Sequence, residues 1–146
     1  MPVKTPAAEL STADLAHELR DTIGRLVRRL RLEPGPPAPQ LTVLSRLERE
    51  GTASVSDLAA AERMRPQSMA QTVGDLERAG LVSRRPDPAD KRRLFVELTA
   101  AGRELLHATR ARREGWLTAA LERELDPADR ALLAEAVALL GRVADA

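Results

Sequence analysis

Apolar residues recur along most of this chain at the three- and four-residue spacing of amphipathic helices. The spacing predicts helices over residues 12–32, around 41–47, over 57–62, 66–78 and 99–125, and from 127 towards the C-terminus. Residues 81–98 follow a different pattern, in which two short apolar arms flank a polar segment with two prolines, and this pattern is typical of a β-hairpin. The sequence therefore predicts a mostly α-helical fold in which this hairpin is the only β element.

Residues that favour helix ends support these boundaries. Side chains able to accept a hydrogen bond from a first helical turn precede four of the helices, and we expect N-caps at Ser11 or Thr12, Ser56, Thr99 and Asp126. Pro66 and Pro127 occupy first helical positions, where a missing N–H costs nothing, whereas Gly51 and Gly80 follow helix ends. Residues 34–39 contain four prolines and should stop the first helix, with no regular element running through them.

The hairpin carries a concentrated positive charge. Its polar segment holds five cations against two aspartates, although the whole chain has a net charge of only +1. The cations are Arg84, Arg85, Lys91, Arg92 and Arg93. A basic patch on a nearly neutral chain indicates a defined contact with an anionic partner.

Residues 57–78 combine a short helix, a tight turn at 63–65 and a second helix, which is the order of a helix-turn-helix. The second helix has an apolar inner face, whereas its outer face carries amides and hydroxyls: Gln67, Ser68, Gln71 and Thr72. Such side chains bond base edges in a major groove, and Arg65 together with the helix N-terminus can bond phosphate. An ordinary solvated helix face is the alternative, and the basic hairpin directly downstream favours DNA.

The composition removes several classes of function. Cysteine is absent, which excludes disulfides, thiol redox switches and Cys-based zinc sites. The sequence has no nucleophile–His–acid set and no glycine-rich phosphate loop, so we expect no enzyme, no catalytic residue and no cofactor. Two histidines alone make a poor zinc site, and we expect no metal. His17 and His107 either face solvent or meet in a dimer layer as a sensor.

No apolar run approaches 18 residues, and no signal-peptide pattern begins the chain. We therefore expect a cytoplasmic protein.

The tetrapeptide Asp-Pro-Ala-Asp occurs at 87–90 and again at 126–129. The second copy precedes a helical pattern and is expected to open the last helix. The first copy precedes Arg92, Arg93 and a strand-like run, so we expect it to turn the hairpin. The alternative for the first copy is one helical turn over residues 88–92.

Residues 75–102 carry the most specific signal in the chain. The run Leu76-Glu-Arg-Ala-Gly-Leu-Val82 leads into Arg84-Arg85, Asp87-Pro-Ala-Asp-Lys-Arg92 and Leu98-Thr-Ala-Ala-Gly102. In this order, these motifs resemble the wing signature of the MarR-family transcription regulators. The resemblance covers nearly the whole chain and implies a winged helix-turn-helix plus a helical dimerisation layer.

The resemblance also implies roles for particular residues. A homodimer would place two recognition helices in major grooves and two wings along the adjacent minor grooves of a near-palindromic double-stranded operator. Asp90 would brace the wing by pairing with an arginine across its tip, and Arg92 would enter the minor groove. The other wing cations would approach phosphates: Arg84, Arg85, Lys91 and Arg93. A protein of this family would be bacterial or archaeal, and nucleoid-associated when bound.

Some positions depart from the family pattern. Glu62 and Arg63 stand where the turn often has an apolar residue and a glycine, so Arg63 is forced toward a left-handed conformation or the turn is built differently. Arg65 stands where Ser or Thr would more often cap the helix. Lys91 stands where arginine is usual, and because lysine lacks the planar fork we expect a phosphate contact there rather than base reading.

We therefore expect a sequence-specific DNA-binding transcription regulator, a repressor that a small aromatic or anionic effector releases. Trp116 is the candidate for an effector pocket, with a plain dimer core as the alternative. The other class of function is a winged-helix protein-interaction module without DNA binding. The expected organisation is one compact chain, with an arm and dimerisation helix over 1–33, a DNA-binding lobe over 38–98, and connecting and terminal helices over 99–146.

Overall fold

The computed structural model describes residues 10–146, and this part of the chain contains six α-helices and three β-strands. The helices are α1 (Thr12–Leu30), α2 (Ala38–Glu50), α3 (Val55–Ala61), α4 (Pro66–Arg78), α5 (Ala100–Glu124) and α6 (Pro127–Ala144). The strands are β1 (Ala53–Ser54), β2 (Val82–Pro86) and β3 (Leu94–Leu98). The expected fold class is confirmed, because the structure is mostly helical with a small antiparallel sheet. The loose arm expected over residues 1–10 lies almost wholly outside the described residues.

The chain divides into two units, residues 1–33 and residues 34–146. Helix α1 makes up most of the described part of the first unit. Ser11 is its N-cap, as expected, and its Oγ accepts a hydrogen bond from the Asp14 N–H at 3.1 Å. The helix ends at Leu30, two residues before the predicted end, and Arg29 then pairs with Glu33 at 2.9 Å.

In the second unit, α2, α3, α4 and the sheet enclose an aliphatic core. Its buried apolar residues are Val43, Leu44, Leu47, Leu58, Ala59, Met69, Val73, Leu76, Val82, Val96 and Leu106. Three of them, Met69, Val73 and Leu76, form the inner face predicted for the second helix of the helix-turn-helix. Helix α5 reaches this core with Leu106 and with Thr109, whose buried hydroxyl donates to the Leu105 carbonyl at 2.8 Å.

The sheet has the strand order β1-β3-β2, and both pairings are antiparallel. The hairpin register runs from Val82 opposite Leu98 to Pro86 opposite Leu94. The prediction that this hairpin is the only β element was wrong, because β1 pairs with the other edge of β3. Two residues are too few for an alternating pattern, so this strand forms through its tertiary partner and leaves no local signal.

Helix α3 begins two residues before its predicted start. Ser54, rather than Ser56, is the N-cap, and its side chain accepts from the Asp57 N–H at 3.1 Å. The Asp57 carboxylate accepts in turn from the Ser54 N–H, which completes a capping box. Ser56 lies exposed within the first turn. The Ser-x-x-Asp spacing identifies Ser54 as the better cap, because it satisfies two N–H groups reciprocally.

Helix α2 begins at Ala38, within the proline-rich segment 34–39. The expectation that no regular element enters this segment was therefore wrong for its last two residues. Pro39 lies in the first turn, where backbone N–H groups have no carbonyl partner within the helix. The N–H that proline lacks is therefore not missed, and the helix tolerates it. The expected C-cap at Gly51 is confirmed: its φ is +83°, and its N–H donates to the Leu47 carbonyl at 2.9 Å.

The start of α5 is packed directly against the base of the hairpin. Thr99 is the N-cap, as expected; its Oγ1 accepts from the Gly102 N–H and donates to the Gly80 carbonyl at 2.7 Å. The Thr99 N–H bonds the Leu81 carbonyl at 3.1 Å. A Cβ on Gly102 would lie 2.1 Å from the Leu81 carbonyl oxygen, so this contact admits only glycine.

Helix α5 ends at Glu124, one residue before the predicted end, and α6 follows almost at once. Asp126 is the N-cap of α6, and its Oδ1 accepts from the Asp129 N–H at 2.8 Å. The second Asp-Pro-Ala-Asp segment therefore opens a helix, as its flanking pattern predicted. Within residues 10–146, no helix combines the length and apolarity needed to cross a bilayer.

Candidate nucleic-acid interface

The turn between α3 and α4 is built on a left-handed residue. Arg63 has a φ of +52°, which confirms the first of the two conformations expected there. Glu62 accepts a hydrogen bond at 2.5 Å from Nε of Arg46, on α2, whose Nη1 also donates to Glu50 at 2.7 Å. These bonds, that to Glu62 above all, raise the pKa of Arg46. An ion pair thus fastens the turn to α2, and Met64 of the same turn packs against the core.

The outer face of α4 presents polar groups to solvent. Gln67, Ser68 and Gln71 are exposed. Thr72 is half-buried, and its hydroxyl donates to the Ser68 carbonyl at 3.1 Å. Arg65 is the N-cap residue but makes no side-chain cap, and within residues 10–146 it forms no ion pair. The structure therefore brings the predicted α4 residues to one surface, with Thr72 the least accessible of them.

Backbone bonds to two aspartates shape the tip of the hairpin, residues 87–93. The Asp87 N–H donates to the Arg93 carbonyl at 2.9 Å, and Asp87 Oδ1 accepts from the Ala89 N–H at 2.8 Å. Asp90 Oδ1 accepts from the Arg92 N–H at 3.0 Å. These bonds close a hairpin turn, so the alternative of a helical turn over residues 88–92 is wrong.

The expected partner of Asp90 was an arginine across the tip. In the structure its Oδ1 lies 3.6 Å from Nε of Arg92, two residues further along the same turn. Asp90 therefore braces the tip mainly through the backbone of Arg92, and it does not link the two arms of the hairpin.

Three of the five hairpin cations pair with acids, two of them on the helix-turn-helix and one on the hairpin itself. Arg84 lies 2.9 Å from Glu77 on α4, and Arg85 lies 3.3 Å from Glu97 on β3. Arg93 lies 2.6 Å from Asp57 on α3. The Arg84 and Arg93 pairs connect the hairpin to both helices of the helix-turn-helix, whereas the Arg85 pair links its two strands.

Lys91 and Arg92 project from the tip. The Arg92 side chain is 95% exposed, and its only ion pair among the described residues is the loose one with Asp90. Lys91 is also exposed and forms no ion pair within residues 10–146. The tip thus offers two cations to a partner outside this chain.

The sequence matches the model of the MarR family over residues 37–94. It is also 36% identical over 138 residues to an uncharacterised HTH-type transcriptional regulator of Mycobacterium bovis, which covers 92% of this chain and 96% of the relative. The protein belongs to the MarR family. It is accordingly a transcriptional regulator, a class whose action implies DNA binding, and residues 82–98 are its wing.

Solved structures agree with the MarR fold. A protein of Pseudomonas aeruginosa described as a transcriptional regulator is 43% identical, with a TM-score of 0.81 over 90% of this chain and 95% of that one. BpsR of Bordetella bronchiseptica, whose DNA binding is regulated by 6-hydroxynicotinic acid, is 28% identical. Its TM-score is 0.58, over 90% of this chain and 93% of BpsR.

Outside the predicted DNA-binding surface, this MarR-family chain has an ion cluster that the sequence did not reveal. Glu48 on α2 accepts hydrogen bonds from His107 at 2.5 Å and Arg110 at 2.6 Å, both on α5. The bond from His107, then that from Arg110, lowers the pKa of Glu48. In the first unit, His17 lies 3.4 Å from Asp21.

Trp116, the predicted pocket residue, lies half-buried on α5. No cluster of three metal-ligating side chains occurs in the described part of the chain.

Proposed function

We propose that this protein binds a near-palindromic DNA duplex as a homodimer, with α4 in the major groove and the wing along the adjacent minor groove. The observation that carries the proposal is the Arg92 side chain, 95% exposed at the end of a hairpin that is anchored to the helix-turn-helix. An arginine held out in this way suits a narrow minor groove, where the potential is most negative.

The proposal divides the predicted contacts by chemistry. Gln67, Ser68 and Gln71 have the donors and acceptors to read base edges, and Thr72 adds a partly accessible hydroxyl. The cations at the helix start and on the wing would position the protein on phosphates: Arg65, Arg84, Arg85 and Lys91. Arg84 and Arg85 each pair with one carboxylate at the surface, and an exposed pair without further contacts to hold it is weak enough to be shared with phosphate.

The dimer is proposed from an apolar face that the single chain leaves uncovered. Helix α6 has no buried residue, and Leu132, Leu139 and Val143 are 66%, 59% and 69% exposed. Spacings of seven and four residues place the three on one side of the helix. Helix α1 likewise has no buried residue and carries an apolar stripe. Large exposed apolar surfaces mark interaction sites, and a second copy supplies a matching surface by two-fold symmetry.

The proposal is tested by titrating a fluorescent random-sequence duplex with the protein at low and high salt and following anisotropy. Binding should weaken steeply as salt rises, because displaced counterions supply much of the affinity. The competing function is a protein-interaction module whose wing charges meet an acidic protein. Failure to bind duplex at any salt concentration would favour that module and remove the DNA-binding proposal.

Replacing Arg92 with alanine should cost about 1–3 kcal/mol of affinity for the operator, because a minor-groove contact is lost. Lys91→Ala is the matched control, since it removes one neighbouring exposed charge. The Lys91 variant should lose less affinity than the Arg92 variant. Its loss of affinity should be equal for operator and random duplex, as expected of a phosphate contact. Equal affinity of the Arg92 variant and the wild type would show that Arg92 does not contact DNA.

We further propose that the protein represses transcription by occupying a promoter in the cytoplasm and that a small aromatic anion releases it. The regulation of BpsR by 6-hydroxynicotinic acid supports this choice of ligand class.

Trp116, the only tryptophan in the chain, offers a direct signal for such a ligand. An aromatic carboxylate that weakens DNA binding should also change Trp116 emission with the same midpoint. A ligand that releases DNA without changing that emission would place the effector site elsewhere.

A further inference from the structure

Arg93 is the hairpin cation with the most contacts to the rest of the lobe. Its Nη2 lies 2.6 Å from Oδ2 of Asp57 and 3.1 Å from Oγ of Ser54. Its guanidinium carbon also lies 6.0 Å from the centre of the Phe95 ring, within cation–π range. A side chain with these contacts is directed toward α3 rather than outward from the wing.

The group that holds Arg93 is itself fixed. Ser54 and Asp57 are the two residues of the capping box at the start of α3. Hydrogen bonding to Ser54, and then the Arg93 charge, lowers the pKa of Asp57, so the carboxylate is ionised at neutral pH. Ser54 also pairs with Phe95 in the β1–β3 ladder. Arg93 therefore joins a helix cap, a strand pair and the end of the wing tip.

Arg92, the adjacent residue, is much more exposed than Arg93, whose side chain is 44% exposed. The side chain of Arg92 is 95% exposed, and its backbone N–H bonds Asp90 within the tip. Any rotation of the wing about the point where Arg93 is held would carry Arg92 with it. The contacts that hold Arg93 against α3 therefore also restrict the backbone beside Arg92.

We propose that Arg93 is a positioning residue: its ion pair with Asp57 fixes the wing so that Arg92 is preorganised to contact DNA, and Arg93 itself makes no phosphate contact. The proposal rests on the DNA-binding function proposed above. It replaces the role in phosphate binding that the resemblance implied for Arg93. Preorganisation raises affinity because a wing that is already ordered loses less conformational entropy when it binds DNA.

The test uses a substitution for which the two roles predict opposite signs. Asp57→Asn removes the charge that holds Arg93 and keeps an oxygen that can accept the capping bond. If Arg93 is a positioning residue, this variant should bind operator duplex about three- to tenfold more weakly, although the lobe has become more positive. If Arg93 binds phosphate, the variant should bind as tightly as the wild type or more tightly, because an arginine is released and an acid is lost.

Three further variants are compared with Asp57→Asn. Arg93→Gln should show the same loss as Asp57→Asn, and the double variant should be no worse than either, because both changes break one contact. The slope of log K against log salt should stay that of the wild type, whereas loss of a phosphate contact would reduce it by about one. Asp75→Asn is the charge control: it removes an acid that pairs with Arg78 on the same helix, and it should not weaken binding.

In the Asp57→Asn background, Arg92→Ala should lower DNA affinity less than it does in the wild type, since a displaced Arg92 already contacts DNA less. Unfolding temperatures measured on every variant identify any that has lost its fold. If Asp57→Asn disrupts the helix cap, Arg93→Gln still tests the ion pair, because Arg93 is not part of that cap. Unchanged or tighter binding by a folded Asp57→Asn variant would overturn the positioning role alone. A wild-type protein that fails to bind duplex would overturn both this role and the proposed function.

Discussion

Gly102→Ala should lower the free energy of unfolding by about 3 kcal/mol or more, a large fraction of the stability of a domain this size. The new Cβ would lie 2.1 Å from the Leu81 carbonyl oxygen and 2.8 Å from Cδ1 of Leu98. The first obstacle is backbone, so it cannot be relieved by a rotamer change. The start of α5 would have to move away, which breaks the bonds from Thr99 to Gly80 and Leu81.

Gly115→Ala is the matched control for this prediction, because it lies on the same helix and its added Cβ meets no atom within 4 Å. It should raise the free energy of unfolding by about 0.5–1 kcal/mol, since alanine loses less backbone entropy in a helix. Urea unfolding compares the two variants at one fixed protomer concentration, because the stability of the proposed dimer would depend on concentration. Equal stability of both variants would refute the close contact at Gly102.

Deleting residues 126–146 should abolish the proposed dimer and with it tight operator binding. The deletion removes α6, whose apolar face is uncovered in the single chain. A milder change, Leu139→Glu, should have the same effect, because it places a charge at the middle of that face, where burial without a partner is costly. Sedimentation equilibrium on the two variants measures the change in association directly.

Glu135→Gln provides the control on the same helix, since it keeps the size of an exposed side chain and removes a charge instead of adding one, so it should leave the dimer intact. Helical content measured by circular dichroism separates loss of association from loss of folding. A deletion variant that remains dimeric would show that α6 is not needed for the interface. A Leu139→Glu variant that stays dimeric would place the contact on another face of α6.

Sequence features that act within one turn or one helix predicted this structure well. Ser11, Thr99 and Asp126 cap their helices as expected because a cap depends only on residues two or three positions away. The two copies of Asp-Pro-Ala-Asp were told apart by their flanks, an apolar helical period in one case and a strand-like run in the other.

Features that depend on distant partners were not predictable in this way. The Arg46–Glu62 pair joins residues 16 apart, and the Arg93–Asp57 pair joins residues 36 apart. Composition marks all of these side chains as charged, but only the folded backbone determines which of them meet. The sequence therefore identified the cationic wing, and the structure distinguished Arg92, which projects outward, from Arg93, which faces the lobe.

The most direct test of the account is to map, across the genome, the DNA that the protein protects from cleavage. A two-fold dimer should protect sites that share a near-palindrome with half-sites about one helical turn apart, the spacing of two α4 helices related by a two-fold axis. The same sites should lose protection in the Arg92→Ala variant. Protected DNA without a shared sequence, or with a single unpaired half-site, would contradict the account of a dimeric, sequence-specific regulator.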